Sequence, residues 1–198
     1  MATDIGKAIG NLLAFYDFRD KAVISVGAGG GQFIEYGRQA NKVLAVDTSA
    51  EALEKLKERL VGAGLADKFT LVHSDFYRCD LKGDVVMFEF CLHEMPDPAA
   101  ALEHSTKMAA DILVLDHWPE SEWAFYVSEE DKVARSWQAL RSFPCKKIQK
   151  YEATQFFKNY EELRQKVSVM GETSINRIRP FIHSENFSIP MSYGFAWI

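Results

Sequence analysis

A glycine-rich turn directly after a short apolar run is the most informative pattern in the sequence. Residues 23–26 (Val-Ile-Ser-Val) lead into residues 27–32 (Gly-Ala-Gly-Gly-Gly-Gln), and a helix carrying Phe33 and Ile34 is expected next. Glycine lets the backbone turn sharply and lets a ligand approach the chain closely. In an open parallel sheet, ligands bind outside the carboxyl ends of the strands, where this turn would lie. The pattern predicts a binding turn, although any tight strand–helix junction can also use glycine.

Two acidic residues strengthen this interpretation because each ends a later apolar run. Asp47 ends the second run, where its carboxylate can accept hydrogen bonds from both hydroxyls of a ribose. Asp75 ends the third run, where it can accept a hydrogen bond from an adenine amine while Phe76 lies beside the ring. Either acid alone would be interpreted as a helix cap or a loop residue. A glycine turn and two acids at successive strand ends together predict a nucleoside-cofactor site.

Short apolar runs alternate with helical patterns through the first two thirds of the chain. Near-continuous runs of Val, Ile, Leu and Phe are typical of parallel strands that helices cover on both faces. Strands alternating with helices predict βαβ units, and therefore an α/β fold with a Rossmann-like, doubly wound sheet. The predicted strands are residues 22–26, 43–46, 69–72, 85–90 and 112–115.

Two of the predicted helices have recognisable starts. The sequence Thr48-x-x-Glu51 is a capping-box pattern ahead of a stripe of leucines. Asp97 followed by Pro98 predicts another helix start, since proline is favoured in the first turn. Both patterns place helices between consecutive strands, as a doubly wound sheet requires.

The last third of the chain has a less regular pattern. A helix is predicted over residues 128–140, a short strand over 146–151, and a further helix from Asn159. Residues 187–198 predict a terminal strand that Pro190 interrupts, and proline there suits a sheet edge or a bulge. We expect this part to add strands to the sheet and a helical cover over a site.

The motifs of the first two thirds resemble those of the class I S-adenosylmethionine-dependent methyltransferases. The resemblance lies in residues 26–31, 46–47, 74–76 and 84–97, within a segment of roughly 15–119. It implies a seven-stranded sheet, mostly parallel with an antiparallel last strand. It also implies that S-adenosylmethionine is the cofactor and that methyl transfer is the reaction.

The resemblance further implies which residues contact the cofactor. The glycine turn would approach its amino-acid and ribose parts, Asp47 would hold the ribose, and Asp75 would contact the adenine. The end of the fourth strand would lie near the methionine end, and a residue just before the first strand would cover the cofactor. The implied cofactor-binding residues are Gly27, Ala28, Gly29, Gly31, Asp47, Thr48, Asp75, Phe76, Glu89, Phe90 and Tyr16.

One position departs from the family's pattern. Members often carry an acid two residues before the first glycine, where this chain has Ser25. Serine can form hydrogen bonds but lacks the negative charge that would attract the cofactor's ammonium group. We expect either weaker cofactor binding or compensation by another acid. The departure also leaves open an alternative function, a nucleoside-binding sensor or partner subunit of the same fold without transfer activity.

A dinucleotide-dependent dehydrogenase is the rival class of nucleotide-binding enzyme. Its G-x-G-x-x-G fingerprint needs a small residue five positions after the first glycine, where this chain has Gln32. None of the tyrosines begins a Tyr-x-x-x-Lys pair, so the short-chain dehydrogenase site is also missing. These features favour methyl transfer over hydride transfer.

The catalytic residues are predicted at the end of the fourth strand. A sulfonium is already an activated methyl donor, so the protein chiefly aligns the reactants, but a hydroxyl, thiol or protonated amine acceptor also needs a base. His93 lies where the methyl group should point and is predicted to be that base or to orient the acceptor. Glu94 is predicted to hold the imidazole tautomer or to bind a cationic substrate. Packing and loop hydrogen bonding are the alternative roles for His93.

Substrate contacts are predicted from polar and aromatic residues near the same rim. Aromatic rings can wall an apolar pocket or surround a cation. A divalent metal bound by Asp116 with nearby His and Glu side chains is chemically possible, but the spacing matches no strong motif, so no metal is predicted. The predicted substrate-binding residues are His117, Trp118, Tyr126 and Tyr193.

Composition narrows the class of partner and the location. The chain has 198 residues, 23 Lys and Arg against 28 Asp and Glu, and a net charge of −5, so nucleic acid is disfavoured as the acceptor. We expect a small-molecule substrate first and a protein acceptor second; the oligomer is left open between a monomer and a homodimer. Three cysteines form no C-x-x-C pair and fit a reducing compartment.

The same considerations lead to expectations about location and domain organisation. No secretory signal and no apolar run of about 18 residues is visible, which predicts a cytoplasmic protein without a membrane span. A chain of this length supports one domain. We expect residues 1–198 to form one domain, with a donor-binding core over about 1–119 and acceptor-side elements over about 120–198.

Overall fold

A seven-stranded β-sheet runs through the centre of the computed structural model, which describes residues 4–198. Its strands are β1 (Ala22–Val26), β2 (Lys42–Asp47), β3 (Phe69–His73), β4 (Val85–Glu89), β5 (Asp111–His117), β6 (Lys147–Asn159) and β7 (Glu185–Trp197). The spatial order is β3-β2-β1-β4-β5-β7-β6, with β1 to β5 parallel and β7 antiparallel to both of its neighbours. This arrangement confirms the predicted fold class, including the antiparallel last strand.

Helices cover both faces of the sheet. They are α1 (Ile5–Phe15), α2 (Ala50–Ala63), α3 (Pro98–Thr106), α4 (Glu122–Tyr126), α5 (Glu130–Leu140), α6 (Tyr160–Val167) and α7 (Glu172–Arg177). The central strands are buried on both sides, as in β4, where Val85 to Phe88 are fully enclosed. Continuous burial explains why these strands lack an alternation of polar and apolar residues. No helix among residues 4–198 is long and apolar enough to span a membrane.

The helix caps follow the sequence in one case and differ in the other. Asp97 caps α3 as predicted, since its Oδ1 accepts a hydrogen bond from Ala100 N at 3.0 Å. The cap of α2 is Ser49, whose Oγ accepts from Ala52 N at 3.2 Å, so the predicted cap at Thr48 is wrong by one residue. The reason is that Asp47 already accepts a hydrogen bond from Ser49 N, which extends the turn by one position.

The segment after the glycine turn differs from the predicted helix. Residues Ile34–Arg38 form a short 3₁₀ helix. Tyr36 is buried in this segment and Gly37 lies directly against the Phe69 ring, where a Cβ would collide. Close packing at a glycine, which disfavours a longer α-helix, accounts for the shorter element.

The last third forms longer strands than predicted. Strand β6 spans Lys147–Asn159 and pairs with β7 along nearly its whole length, whereas β5 pairs with β7 only over residues 193–197. Pro190 therefore lies in the part of β7 that extends beyond β5, opposite Thr154 of β6. A proline is tolerated there because β7 has only β6 as a neighbour at this point, so a missing backbone N–H can face the side without a strand. Helix α6 begins as predicted, with Asn159 Oδ1 accepting from Glu162 N at 3.0 Å.

Candidate active site

Two cavities meet at the carboxyl edge of the parallel strands. The outer cavity, about 460 Å³, lies over the ends of β2, β3 and β4 and is lined by residues that include Asp47, Asp75 and Met95. The inner cavity, about 360 Å³, lies over β1, β4 and β5 and extends under the elements of the last third. Both cavities are lined by Gly27, Glu89 and Phe90, which therefore mark where they join.

The glycines of the turn have different physical roles. Gly27 and Gly29 have φ values of 66° and 49°, which side chains rarely adopt, and a Cβ on Gly27 would lie 2.5 Å from the Cys91 side chain. A Cβ on Gly30 would meet nothing within 4 Å, and this glycine lines the inner cavity. Gly31 faces α2 instead, since its Cβ would lie 2.6 Å from Leu56 Cδ1.

Asp47 holds the glycine turn in place. Its Oδ2 accepts a hydrogen bond from Gly29 N at 2.9 Å and its Oδ1 accepts from Ser49 N at 2.8 Å. Each carboxylate oxygen can accept more than one hydrogen bond. Asp47 and Thr48 both line the outer cavity, so the Asp47 carboxylate remains available to hydroxyl groups placed there.

Asp75 and Phe76 form the far end of the outer cavity. Asp75 is exposed, and its Oδ1 accepts from Tyr77 N at 3.0 Å at the start of a 3₁₀ turn. Phe76 is only 3 % exposed, with its ring edge-on to Phe88 at 5.4 Å and to His104 at 5.1 Å. Phe76 therefore forms an apolar floor beneath the exposed carboxylate.

Glu89 lies where the two cavities join. Ser25 Oγ donates a short hydrogen bond to Glu89 Oε1, and the Tyr36 hydroxyl donates to the same oxygen at 3.0 Å. Burial raises the pKa of Glu89 to about 7, and the negative charge of Asp47 adds to the increase. Glu89 is therefore an acid that lies directly beside Ser25, the residue at the position where the family usually has an acid.

The inner cavity has aromatic walls and a few polar groups. Its walls come from elements far apart in the chain, including Ile5 and Ala8 of α1, Trp123 of α4, and Met191 of β7. Further rings are contributed by Phe33, Phe90 and Tyr193, and further polar groups by His117, Gln155 and Lys166. This composition, mostly apolar with a few polar groups, is typical of small-molecule sites.

Lys166 is a partly buried cation on the wall of the inner cavity. Its Nζ donates to Gln155 Oε1 at 2.8 Å and lies 4.9 Å from the centre of the Trp123 ring. Gln155 is fixed in turn, because its Nε2 donates to Met191 Sδ at 3.1 Å. Burial lowers the pKa of Lys166 to about 8.

His117 ends β5 and contributes a buried nitrogen to the site. Its Nδ1 is shielded from solvent and has no hydrogen-bond partner among the residues that the structure describes. Burial lowers the pKa of His117; Asp116 opposes this change and the neighbouring His93 reinforces it. The imidazole is therefore neutral at physiological pH and lines the inner cavity.

His93 is surrounded by acids and does not itself line the inner or the outer cavity. Its Nδ1 donates to Asp116 Oδ1 at 2.5 Å, while its Nε2 lies 3.3 Å from Glu94 Oε1 and 3.5 Å from Glu129 Oε2. Burial alone would lower the pKa of His93, but the hydrogen bonds to Asp116, Glu129 and Glu94 outweigh it and raise the pKa to about 11. A protonated imidazole cannot accept a proton, so this geometry argues against the predicted role as base.

Glu94 belongs to the same cluster. Its carboxylate also accepts from Lys132 Nζ at 2.8 Å, and the hydrogen bond from His93 lowers its pKa. Possible ligand atoms of His93, Glu94 and Glu129 lie within 4.8 Å of one another. The positive charges of His93 and Lys132 neutralise these acids, and the absence of a metal stays a prediction.

Besides His93, the structure places four predicted site residues away from the two cavities. Tyr16 lies at the amino edge of the sheet, where its hydroxyl donates to Asp111 Oδ2 at 2.7 Å. Trp118 packs on Trp137 with ring centres 4.5 Å apart, because successive side chains point to opposite faces and His117 takes the cavity side. Outside the lining of either cavity lie Gly31, Tyr16, Trp118 and Tyr126.

Comparison with known proteins identifies the class of fold and domain. Residues 24–110 match a family model described as a methyltransferase domain. The YcgJ protein of Bacillus subtilis superposes with a TM-score of 0.75 at 14% identity, covering 97% of this chain and 97% of that chain. A SAM-dependent methyltransferase of Aquifex aeolicus superposes with a TM-score of 0.62 at 16% identity, covering 99% of this chain and 97% of that chain.

A ligand-bound structure has the same fold. Magnesium protoporphyrin IX methyltransferase of Synechocystis PCC 6803, determined with bound SAM, has a TM-score of 0.56 at 14% identity, covering 97% of this chain and 77% of that chain. At such identities the superpositions show the shared fold. A search of curated protein sequences finds no significant match.

The family match, the sheet topology and the shared fold define a methyltransferase of the Rossmann-like class. Residues 24–110 thus carry a methyltransferase domain, the fold is that of the S-adenosylmethionine-dependent methyltransferases, and S-adenosylmethionine is the cofactor. The residues present fit this group: Gly30 opens onto space that a Cβ would fill, Asp47 faces the outer cavity, and Glu89 is a carboxylate at the junction.

Proposed function

We propose that this methyltransferase methylates an oxygen, nitrogen or sulfur atom of a small molecule by in-line displacement. The observation that carries the proposal is the junction of the two cavities at Gly27, Glu89 and Phe90. A donor in one cavity and an acceptor in the other would meet at that point. S-adenosylmethionine supplies an activated methyl group when bound, so the chain's own contribution is chiefly alignment.

The outer cavity is proposed to bind the nucleoside part of the cofactor. The Asp47 carboxylate would accept hydrogen bonds from the ribose hydroxyls, and the Thr48 hydroxyl would donate one to them. Asp75 would accept a hydrogen bond from the adenine amine. Phe76 supplies the apolar floor for the base. These assignments are supported by the position of all four residues around one cavity.

Glu89 is proposed to receive the ammonium group of the cofactor. Its carboxylate is fixed by hydrogen bonds from Ser25 and Tyr36 and lines both cavities. A nearby cation favours the ionised form of a carboxyl group whose pKa burial has raised. Glu89 would thus supply the charge that Ser25 lacks, which is one of the two outcomes expected from the sequence.

A small acceptor is supported by the size and walls of the inner cavity. Its volume of about 360 Å³ falls in the range of ligand pockets. Its distal walls come from α4, β6, α6 and β7, which fits one domain over residues 1–198 with a donor-binding part to about 119 and an acceptor side from about 120. The net charge of −5 disfavours nucleic acid as the acceptor, and free cysteines fit a cytoplasmic location.

The test combines cofactor binding with a search for the labelled product. Binding of S-adenosylhomocysteine is measured by calorimetry for the wild type, for Asp47→Asn and for the matched surface control Asp67→Ala. We expect binding by the wild type and the control and at least tenfold weaker binding by Asp47→Asn. Thermal unfolding of each variant separates a lost contact from a disturbed turn.

Labelled S-adenosylmethionine is then incubated with the protein and a cell extract, and the products are separated by filtration. A labelled low-mass compound that chromatography separates from the donor and that is absent without the protein supports a small-molecule acceptor, whereas label in RNA or protein overturns that acceptor class. Binding without a labelled product in any extract would favour the sensor alternative. Absence of binding at millimolar cofactor would overturn the assignment of both cavities.

A further inference from the structure

The inner cavity contains a cation without an anionic partner. Lys166 Nζ has one oxygen partner, Gln155 Oε1, and its remaining N–H groups have no carboxylate within 4.0 Å among residues 4–198. The Trp123 ring lies beside it, and among the described residues Lys166 is the only Lys or Arg that lines this cavity. A cation in such surroundings is stabilised when an anion binds next to it.

The wall of the same cavity also contributes an imidazole with a nitrogen that has no partner among the described residues. His117 Nδ1 is buried without a hydrogen-bond partner in the described part of the chain. Buried polar atoms without partners are rare, and at a cavity wall they are explained by a ligand. The groups that face this ring are Asp116, His93, Glu129 and Glu94, and the net effect of burial and these charges leaves the ring neutral.

The remaining walls suit a flat aromatic ligand. Phe33 and Phe90 are stacked with ring centres 5.7 Å apart, and Tyr193 lies 6.3 Å from Phe90. Rings pack favourably on such walls in stacked or edge-on arrangements. The cavity therefore offers aromatic surface together with a cation and a proton acceptor.

We propose that the methyl acceptor is an aromatic hydroxyl compound, bound in the inner cavity with its oxygen between Lys166 and His117. This inference rests on the proposed function of the cavity. A protonated amine would be repelled by Lys166, and a carboxylate, which has no proton to lose, would leave His117 without a role. A phenol uses both, since its oxygen becomes negative as its proton leaves.

The proposed step balances as follows. The phenol oxygen forms the new bond to the methyl carbon while the bond from that carbon to the donor's sulfur breaks, with its electron pair remaining on sulfur. The hydroxyl proton passes to His117 Nδ1, and the resulting imidazolium releases it to water that enters the cavity once the products have left. Lys166 stays protonated and stabilises the negative charge on the oxygen. The products are an aryl methyl ether and a neutral thioether.

The experiment uses 4-nitrophenol as the probe, because its anion and its neutral form absorb differently. The full-length protein is saturated with S-adenosylhomocysteine at neutral pH, and the probe is titrated while its spectrum is recorded. Expected is binding of the anionic form by the wild type and by the matched surface control Lys158→Met. Lys166→Met should bind the probe about tenfold more weakly and lose the anion's absorbance. His117→Gln should retain the probe but shift it toward the neutral form.

Two further measurements make the outcome decisive. S-adenosylhomocysteine affinity should be unchanged in Lys166→Met, and 4-nitroaniline, which has the same shape without an acidic proton, should bind at least tenfold more weakly than 4-nitrophenol. Weaker S-adenosylhomocysteine binding by Lys166→Met would assign Lys166 to the cofactor and overturn the proposal. Equal binding of the two probes, or no binding of 4-nitrophenol, would overturn it while the proposed function stands. Failure of the wild type to bind S-adenosylhomocysteine would overturn both.

Discussion

At the residue scale, Ser25 and Glu89 form a hydrogen-bonded pair, and we propose that Glu89 supplies the charge while Ser25 holds its carboxylate in place. Ser25 and Tyr36 both donate to Glu89 Oε1, and no hydrogen bond to Oε2 is found among residues 4–198. The family's usual arrangement places the acid on the first strand. Here the acid lies on the neighbouring strand β4, so the carboxylate reaches the same junction from one strand further along the sheet.

Glu89→Gln is expected to weaken S-adenosylmethionine binding at least tenfold, because the amide cannot balance the ammonium charge. Binding of 5′-methylthioadenosine, which lacks the amino-acid part, should change little. Calorimetry with both ligands checks this. Equal losses for the two ligands would show that the substitution disturbs the cavity as a whole.

The wild type should also bind S-adenosylmethionine more tightly as the pH rises toward 7. The pKa of Glu89 is about 7 without ligand, and only its ionised form attracts the ammonium. Above about pH 8 the α-amino group begins to lose its proton, so affinity should fall again. The groups that face Glu89 are Ser25, Tyr36 and Asp47. Glu89→Gln should remove the rise below pH 7, and its persistence would exclude Glu89 as the titrating group.

His93 leads to a separate prediction about protonation. Its pKa of about 11 lies above the ordinary value of 6.5, so the stability it contributes is fully present below pH 6.5 and is lost as the pH rises through 11. Nitrogen NMR should find His93 protonated at pH 9, and Asp116→Asn should lower its pKa. Deprotonation of His93 near pH 6.5 in the wild type would restore it as a possible base.

At the element scale, neighbouring glycines of one turn face different surroundings, Gly30 the inner cavity and Gly31 a helix. A Cβ on Gly30 would enter the inner cavity, whereas a Cβ on Gly31 would press on Leu56 of α2 at a φ of 72°. The turn thus connects β1 to the ligand on one side and to helix packing on the other.

The pair Gly30→Ala and Gly31→Ala tests this division. Gly31→Ala should reduce the free energy of unfolding by about 1–3 kcal/mol, since strain and overpacking add. Gly30→Ala should leave unfolding nearly unchanged and weaken S-adenosylhomocysteine binding. Denaturant unfolding and calorimetry on both variants are the measurements. The reverse pattern would place Gly31 at the ligand.

At the scale of the whole molecule, packing of the last third of the chain partly buries Lys166, and this burial lowers stability near neutral pH. Lys166 lies on α6 and is partly buried beside β6 and α4. Its folded-state pKa of about 8 is below the ordinary value of 10.5, so the unfolded chain binds more protons between these values. Stability therefore rises with pH across this window.

The stability difference between the wild type and Lys166→Met measures this effect. It should shift in favour of the wild type by about 1–2 kcal/mol between pH 8 and 10.5. This free energy is smaller than the full pKa difference implies, because part of the lysine side chain is exposed to solvent. Denaturant unfolding at several pH values checks it. Lys158→Met should show no such shift; if it does, general surface titration is responsible.

Much of the parallel sheet could be predicted because its signals are local. The five predicted strands correspond to β1 to β5, and the cap at Asp97 was placed correctly. Asp47 and Asp75 were placed at the outer cavity because an acid that ends a parallel strand must lie at the carboxyl edge. The sequence alone suggests that another acid compensates for Ser25. That this acid is Glu89 follows only from the pairing of β1 with β4, which brings the two side chains together.

The acceptor side could not be predicted in the same way. Tyr16, Trp118 and Tyr126 are aromatic residues in plausible positions, yet they pack elsewhere. Lys166 is one of several charged residues on α6, and no local pattern separates it from a surface lysine. Ile5, Gln155 and Met191 also reach the inner cavity from distant parts of the chain.

The sequence by itself determined the sheet, the cofactor class and the donor edge. Periodic burial and strand-end chemistry are properties of short segments, so they can be recognised in the sequence. Only the tertiary structure shows that Glu89 lies beside Ser25, that three acids surround His93, and that Lys166 and His117 line one cavity. Those relations depend on how distant segments pack, because burial and neighbouring charge arise only when such segments come together.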